Sequence, residues 1–175
     1  MKLFMFYVGG DCGPSNIELH DIRFSIGETQ EDCYDDLRKQ WWGDPESLHL
    51  DCWGVVEQVD GFDVEVTSDR VSDDQPKLFF LNMGGYDPKQ FEERHHNVLV
   101  VVPDARAARA EGLSRITSWT QPHKDNVFEV EKAIDVSEAS NAYGYSLRLS
   151  KATTAKDFTF GCGFVRIGLS KVGNP

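Results

Sequence analysis

Glu18-x-His20 and His49-x-Asp51 each place two metal-ligand side-chain types two residues apart. The same types return at Glu93-x-His95 and His123-x-Asp125. On a strand, residues two apart share a face at roughly 7 Å. Each Glu–His pair can therefore share one cation or one hydrogen-bond network. The His-x-Asp pairs lie just before a strand, near its entry. If that edge meets the Glu-x-His strand, four ligand-type groups converge in each half. Two imidazoles and two carboxylates suit zinc, iron or manganese. Three protein ligands and an open position would make such a site Lewis-acidic and hydrolytic. The competing reading is structural, because a buried Glu–His pair can exist only to satisfy its own polar groups. His96 has no counterpart imidazole in the first half, where Asp21 stands, and it draws attention to the second half.

The pairs recur because the chain repeats. Lys2-Leu3-Phe4 returns as Lys77-Leu78-Phe79, and Gly9-Gly10 as Gly84-Gly85, at one offset of 75 residues. Repeats of this kind set the architecture before local signals do. Lys2 to Val8 is a continuous apolar run, expected as a strand buried on both faces. Gly9-Gly10 ends it and permits close approach of other groups. His20, Ile22, Phe24 and Ile26 alternate with polar residues, which predicts a second strand with those four on its buried face.

A helix is expected next, with Thr29 as its cap and Asp32 at its third position. Cys33, Leu37 and Trp41 form its apolar stripe. Gly43-Asp44-Pro45 stops it. Trp53 to Val59 and Phe62 to Val66 then read as strands around a tight Asp60-Gly61 turn. At the 75-residue offset Asp104 replaces the Thr29 cap, and Ala108, Gly112 and Ile116 replace the stripe. Ser137 to Tyr143 reads as an expanded turn, and Asp157 to Leu169 as a further hairpin.

With 175 residues and 40% hydrophobic content, the chain has enough apolar material for a real core. Its net charge of −11 argues against nucleic acid and anionic membrane surfaces as partners. The charge is split: residues 1–75 hold 18 acids and 5 bases, and residues 76–175 hold 11 acids and 13 bases. Complementary halves would suit a homo-oligomer or a protein partner. Cys12, Cys33, Cys52 and Cys162 show no paired spacing, so they read as reduced thiols of a cytoplasmic protein. Gly9-Gly10-Asp11-Cys12-Gly13 lacks the Lys-Ser/Thr ending of a phosphate loop, and no nucleotide motif is present.

The segments Lys2-Leu3-Phe4, Gly9-Gly10, Asn16 to Asp21, Leu81 to Tyr86 and Pro122 to Asp125 together resemble a bacterial family, domain of unknown function family 1543. In that family a small domain occurs in one or two copies. The resemblance runs from Met1 to about residue 150. It implies a cytoplasmic bacterial protein and assigns no activity.

The expected fold is α+β: two tandem ββαββ repeats with pseudo-two-fold symmetry. Mostly antiparallel sheets should carry the helices on one side. The expected divisions are residues 1–67 (first repeat), 68–76 (linker), 77–150 (second repeat) and 151–175 (C-terminal hairpin extension). The leading functional expectation is a non-enzymatic ligand- or protein-binding module using the cleft between repeats. One alternative is a metal-dependent hydrolase-like enzyme using Glu93, His95, His123 and Asp125, or their first-repeat equivalents. Another is a structural assembly protein. A divalent metal is the one cofactor these residues suggest.

Overall fold

The computed structural model describes residues 1–86, 89–115, 130–141 and 143–169. These residues form ten strands and three α-helices, so the α+β expectation holds. They divide into two units. Unit 1 comprises residues 1–58, 64–66 and 154–175, and unit 2 comprises 59–63 and 67–153.

Unit 1 is built on β1 (Lys2–Gly10), which pairs antiparallel with β2 (Leu19–Gly27) and with β3 (His49–Val55). The outer strand is β10 (Phe160–Arg166), giving the order β10-β3-β1-β2. The C-terminal segment is thus one strand that completes unit 1, and not the expected hairpin standing as an extension. Between β2 and β3 a 3-10 turn at Glu31–Cys33 leads into α1 (Tyr34–Gln40). The Asp32 carboxylate accepts the backbone N–H groups of Thr29 at 2.8 Å and Glu28 at 3.2 Å, which starts the helix. The bonds it accepts hold its carboxyl below the usual carboxylate range. Cys33, Leu37 and Trp41 are buried together with Phe4, Phe6, Val8, Leu48, Leu50 and Ile167, as the stripe predicts.

The expected buried face of β2 is inverted. Register places Ser25 opposite Phe4, Arg23 opposite Phe6 and Asp21 opposite Val8. That is the face covered by α1, and Ser25 is fully buried there. The Cys33 thiol donates to the Thr29 carbonyl at 3.7 Å, and Asp21 pairs with Arg23 at 2.7 Å. Ile22, Phe24 and Ile26 instead lie half-buried on the other face. Alternation fixes which residues share a face, but the helix decides which face is covered. For the same reason β1 is not buried on both sides along its whole length, since Tyr7 stays 37% exposed.

The Asp60-Gly61 turn joins β4 (Gln58–Val59) to β5 (Phe62–Thr67), with φ of 52° and 73° at its two residues. Two positive φ values match the primed turn that hairpins prefer.

Unit 2 holds a three-stranded sheet. Its central strand β6 (Lys77–Tyr86) lies between β7 (Glu93–Val102) and β8 (Val130–Asp135). The helix α2 (Ala105–Arg115) falls between β7 and β8 in sequence. Asp104 Oδ1 accepts the Ala107 N–H at 2.8 Å, the expected cap. Ala108 packs with Phe79, Leu81, Met83 and Val100. The stretch read as an expanded turn contains a helix, α3 (Val136–Asn141), followed by β9 (Ser146–Lys151). Ile116, the last residue of the expected stripe, lies outside the described residues. Among the described residues, no helix is long and apolar enough to cross a membrane.

One cysteine expectation is overturned. Cys52 and Cys162 form a disulfide across 110 residues of sequence, while Cys12 and Cys33 are free thiols. The two bonded residues face each other directly in the β3–β10 register. Pairing of the first unit with the far end of the chain brings them together, which no local spacing reveals.

Candidate metal centre

The end of β1 organises the cluster. Gly9 pairs with His20 on β2 and with His49 on β3, so both imidazoles flank a residue that has no side chain. A Cβ at Gly9 would stand 2.7 Å from His49 Nε2 and 2.9 Å from His20 Nε2. Two glycines were expected to allow close approach, and here the approaching groups are the two candidate ligands.

Asp51 arrives by a β-bulge. Tyr7 pairs with Cys52 and Val8 with Leu50, so Asp51 is an extra residue in β3. Bulges re-aim a side chain in this way, often beside functional sites. Glu18 precedes β2 and reaches back over the same face.

The four side chains alternate in a ring. Glu18 spans both histidines, with Oε1 2.9 Å from His49 Nε2 and Oε2 3.6 Å from His20 Nε2. Asp51 also spans them, with Oδ2 2.9 Å from His20 Nε2 and Oδ1 3.7 Å from His49 Nε2. His49 Nδ1 lies 2.8 Å from the Ser47 carbonyl oxygen. Donation of Nδ1–H there leaves the Nε2 lone pair for the cluster. Asp51 Oδ2 is buried and accepts no hydrogen bond, despite its closeness to His20. The two atoms are near neighbours without the alignment of a hydrogen bond. Neither Glu18 nor Asp51 pairs with a Lys or Arg among the described residues.

Aromatic rings hold the imidazoles. Tyr7 stacks on His20 with centroids 4.9 Å apart and planes 4° apart. Phe164, on β10, lies 4.4 Å from the His49 ring. The Tyr7 hydroxyl titrates above its ordinary value, first because it is partly buried and second because Asp51 is nearby. His49 is buried, whereas Glu18, His20 and Asp51 remain partly open to solvent.

The first half therefore assembles all four expected residues. In the second half Glu93 and His95 approach to 3.8 Å on β7, and His123 and Asp125 lie outside the described residues. Sequence reasoning did not single out Tyr7, Ser47 or Phe164. Tyr7 was hidden inside an apolar run, and Phe164 is 144 positions from His20 in the chain.

Residues 15–66 match the family model described as Domain of Unknown Function (DUF1543). That stretch contains Glu18, His20, His49 and Asp51. No curated protein matches the sequence. The crystal structure of a protein Il1583 from Idiomarina loihiensis is similar in fold. Its TM-score is 0.72 and its identity 24%, over 97% of this chain and 99% of that one.

Proposed function

We propose that unit 1 is a divalent-metal-binding unit, with Glu18, His20, His49 and Asp51 as the ligands. The observation that carries this reading is the alternating ring of nitrogen and oxygen. Donor atoms roughly 2.0–2.1 Å from a tetrahedral ion lie about 3.3–3.4 Å from one another. The four nitrogen–oxygen separations, 2.9, 2.9, 3.6 and 3.7 Å, use both oxygens of each carboxylate. With one atom from each residue, Glu18, His20 and His49 lie within 4.8 Å of one another, and Asp51 Oδ2 stands 2.9 Å from His20 Nε2. Two carboxylates that, among the described residues, form ion pairs only with imidazoles favour a cation between them. The Ser47 contact to His49 and the Tyr7 and Phe164 rings are the kind of outer support that orients metal ligands.

A mixed nitrogen and oxygen set favours zinc, iron or manganese over calcium or magnesium. Glu18 is the most exposed of the four, at 42%. Its exchange for water would leave three protein ligands and an open position, the arrangement of a hydrolytic centre. Metal binding is the proposed function, and hydrolysis at that open position is the second reading, favoured by the exposure of Glu18.

The test is a titration of chelator-treated protein with Zn²⁺, Co²⁺ and Mn²⁺ in a calorimeter. One ion per unit 1 is expected, with binding weakened at least tenfold by Asp51→Asn or His20→Ala. Wild-type protein that binds none of the three ions would overturn the proposal.

A further inference from the structure

The disulfide and the cluster meet on β3, where Cys52 directly follows Asp51. Its partner Cys162 lies on β10, two residues before Phe164, the ring that rests on His49. The register between β10 and β3 is irregular at this level. Cys162 pairs with Cys52 and Val165 with Leu50, so Gly163 and Phe164 together oppose the single residue Asp51. Both strands are therefore bulged beside the ligands.

This bulge is pinned at its two ends. Toward the C-terminus, Ile167 and Gly168 donate their N–H groups to the Leu48 carbonyl at 3.0 and 2.8 Å. Arg166 adds two bonds to the Glu46 carbonyl, at 3.1 and 3.3 Å, and Arg38 Nε donates to the Ile167 carbonyl at 2.6 Å. Toward the N-terminus, the Cys52–Cys162 bond is the covalent pin, and the ladder pairing of Phe160 with Gly54 and of Gly161 with Trp53 lies beyond it. Phe164, between the pins, is 70% exposed, and β10 is an edge strand. Packing alone holds it weakly, and its outer backbone has no partner strand within the sheet.

We propose that the Cys52–Cys162 disulfide is a redox control on the metal site, acting by holding Phe164 on His49. This rests on the metal-binding reading above. With the bond intact, both ends of the Gly163-Phe164 bulge are fixed and the His49 ring is held by Phe164 on one side. The reductant is a dithiol. Its two sulfurs give up two electrons and two protons and close to their own disulfide, while the Cys52 Sγ–Cys162 Sγ bond breaks into two thiols. The N-terminal end of the bulge then keeps only the short ladder pairing of residues 160–162 with β3, Phe164 leaves the imidazole, and water reaches the buried side of His49. Loss of support at an orienting neighbour typically lowers metal affinity 10- to 100-fold. The oxidised protein is therefore the tight-binding form.

The experiment titrates Co²⁺ into three forms of the full chain: oxidised wild type, the Cys52→Ala/Cys162→Ala double variant, and Phe164→Ala with its disulfide intact. Alanines remove the bond without adding thiols that would themselves bind the probe. Co²⁺ affinity should fall at least tenfold in the double variant and by a similar factor in Phe164→Ala. Amide exchange at 161–165 should quicken in the double variant. A folded double variant that binds Co²⁺ within twofold of wild type overturns the proposal and leaves the metal reading standing. Should the double variant not fold, Phe164→Ala decides, and unchanged affinity there overturns the proposal equally. Oxidised wild type that binds no Co²⁺ removes the metal reading and this inference with it.

Discussion

Gly9→Ala is the smallest change that should disable the cluster. Its φ is not positive, so alanine suits the backbone, and the damage is steric. The new methyl would stand 2.7 Å from His49 Nε2 and 2.9 Å from His20 Nε2. Carbon and nitrogen need roughly 3.5 Å, so each nitrogen must retreat by about half an ångström or more. Ligand distances in metal sites tolerate only about 0.2 Å. A 100-fold loss of affinity is therefore expected. With metal at 100 times the wild-type Kd, binding stabilises the native protein by about 2.7 kcal/mol. In a chain of this size that raises Tm by roughly 5–11 °C. In Gly9→Ala the same concentration only matches the Kd, so the gain falls to about 0.4 kcal/mol, or roughly 1–2 °C. Thermal unfolding with and without metal measures both. The metal-free variant should also be less stable by about 1–3 kcal/mol, from overpacking. A variant that loses stability yet keeps the full metal-induced rise in Tm would refute the reasoning.

Two predictions concern other parts of the chain. Burial pushes the Cys33 thiol up to about 11, so the folded state binds its proton more tightly than the unfolded one. Its contribution to stability is present below pH 9 and is lost as pH rises from 9 toward 11. In the native protein at pH 8, iodoacetamide should modify Cys12 and leave Cys33 untouched, and equal labelling would show that Cys33 is not shielded. In unit 2, Arg115 Nη2 reaches both Asp60 oxygens at 2.9 Å, and Asp60 also accepts the Val101 N–H at 3.0 Å. Arg115→Lys should lower stability in urea by about 1 kcal/mol, because an ammonium group does not reproduce the guanidinium geometry. An unchanged unfolding midpoint would count against that pairing.

The candidate centre was legible in the sequence through spacing. Glu18-x-His20 and His49-x-Asp51 keep their members on one face, and Gly9-Gly10 announced a place of close approach. His96 drew attention to the second half, where His123 and Asp125 lie outside the described residues; the described residues assemble the ring in the first half. The bulge at Asp51 depends on how β1 and β3 register, a tertiary property. The buried face of β2 was misassigned because period two cannot say where a helix will settle. The disulfide was missed for the same kind of reason. Its cysteines become neighbours only when β10 crosses back to β3, and the intervening residues give no hint of that return. The helix stripe at Cys33, Leu37 and Trp41, the Asp104 cap and the Asp60-Gly61 turn were legible because each is decided within a few residues.

The return of β10 also sets an order of assembly. Unit 1 is discontinuous in the chain, opened by residues 1–58 and finished by 154–175, with most of unit 2 synthesised in between. On the ribosome the outer edge of β3 stays unpaired until residues 160–166 have been made. Unit 2 is by then complete in sequence and free to fold first. The nascent chain thus carries Asp51 and His49 on an open sheet edge for the time needed to translate about a hundred residues, several seconds or more. An exposed strand edge is where a growing chain is most prone to pair with the wrong neighbour. The pairing of β10 with β3 is therefore what ends this exposure.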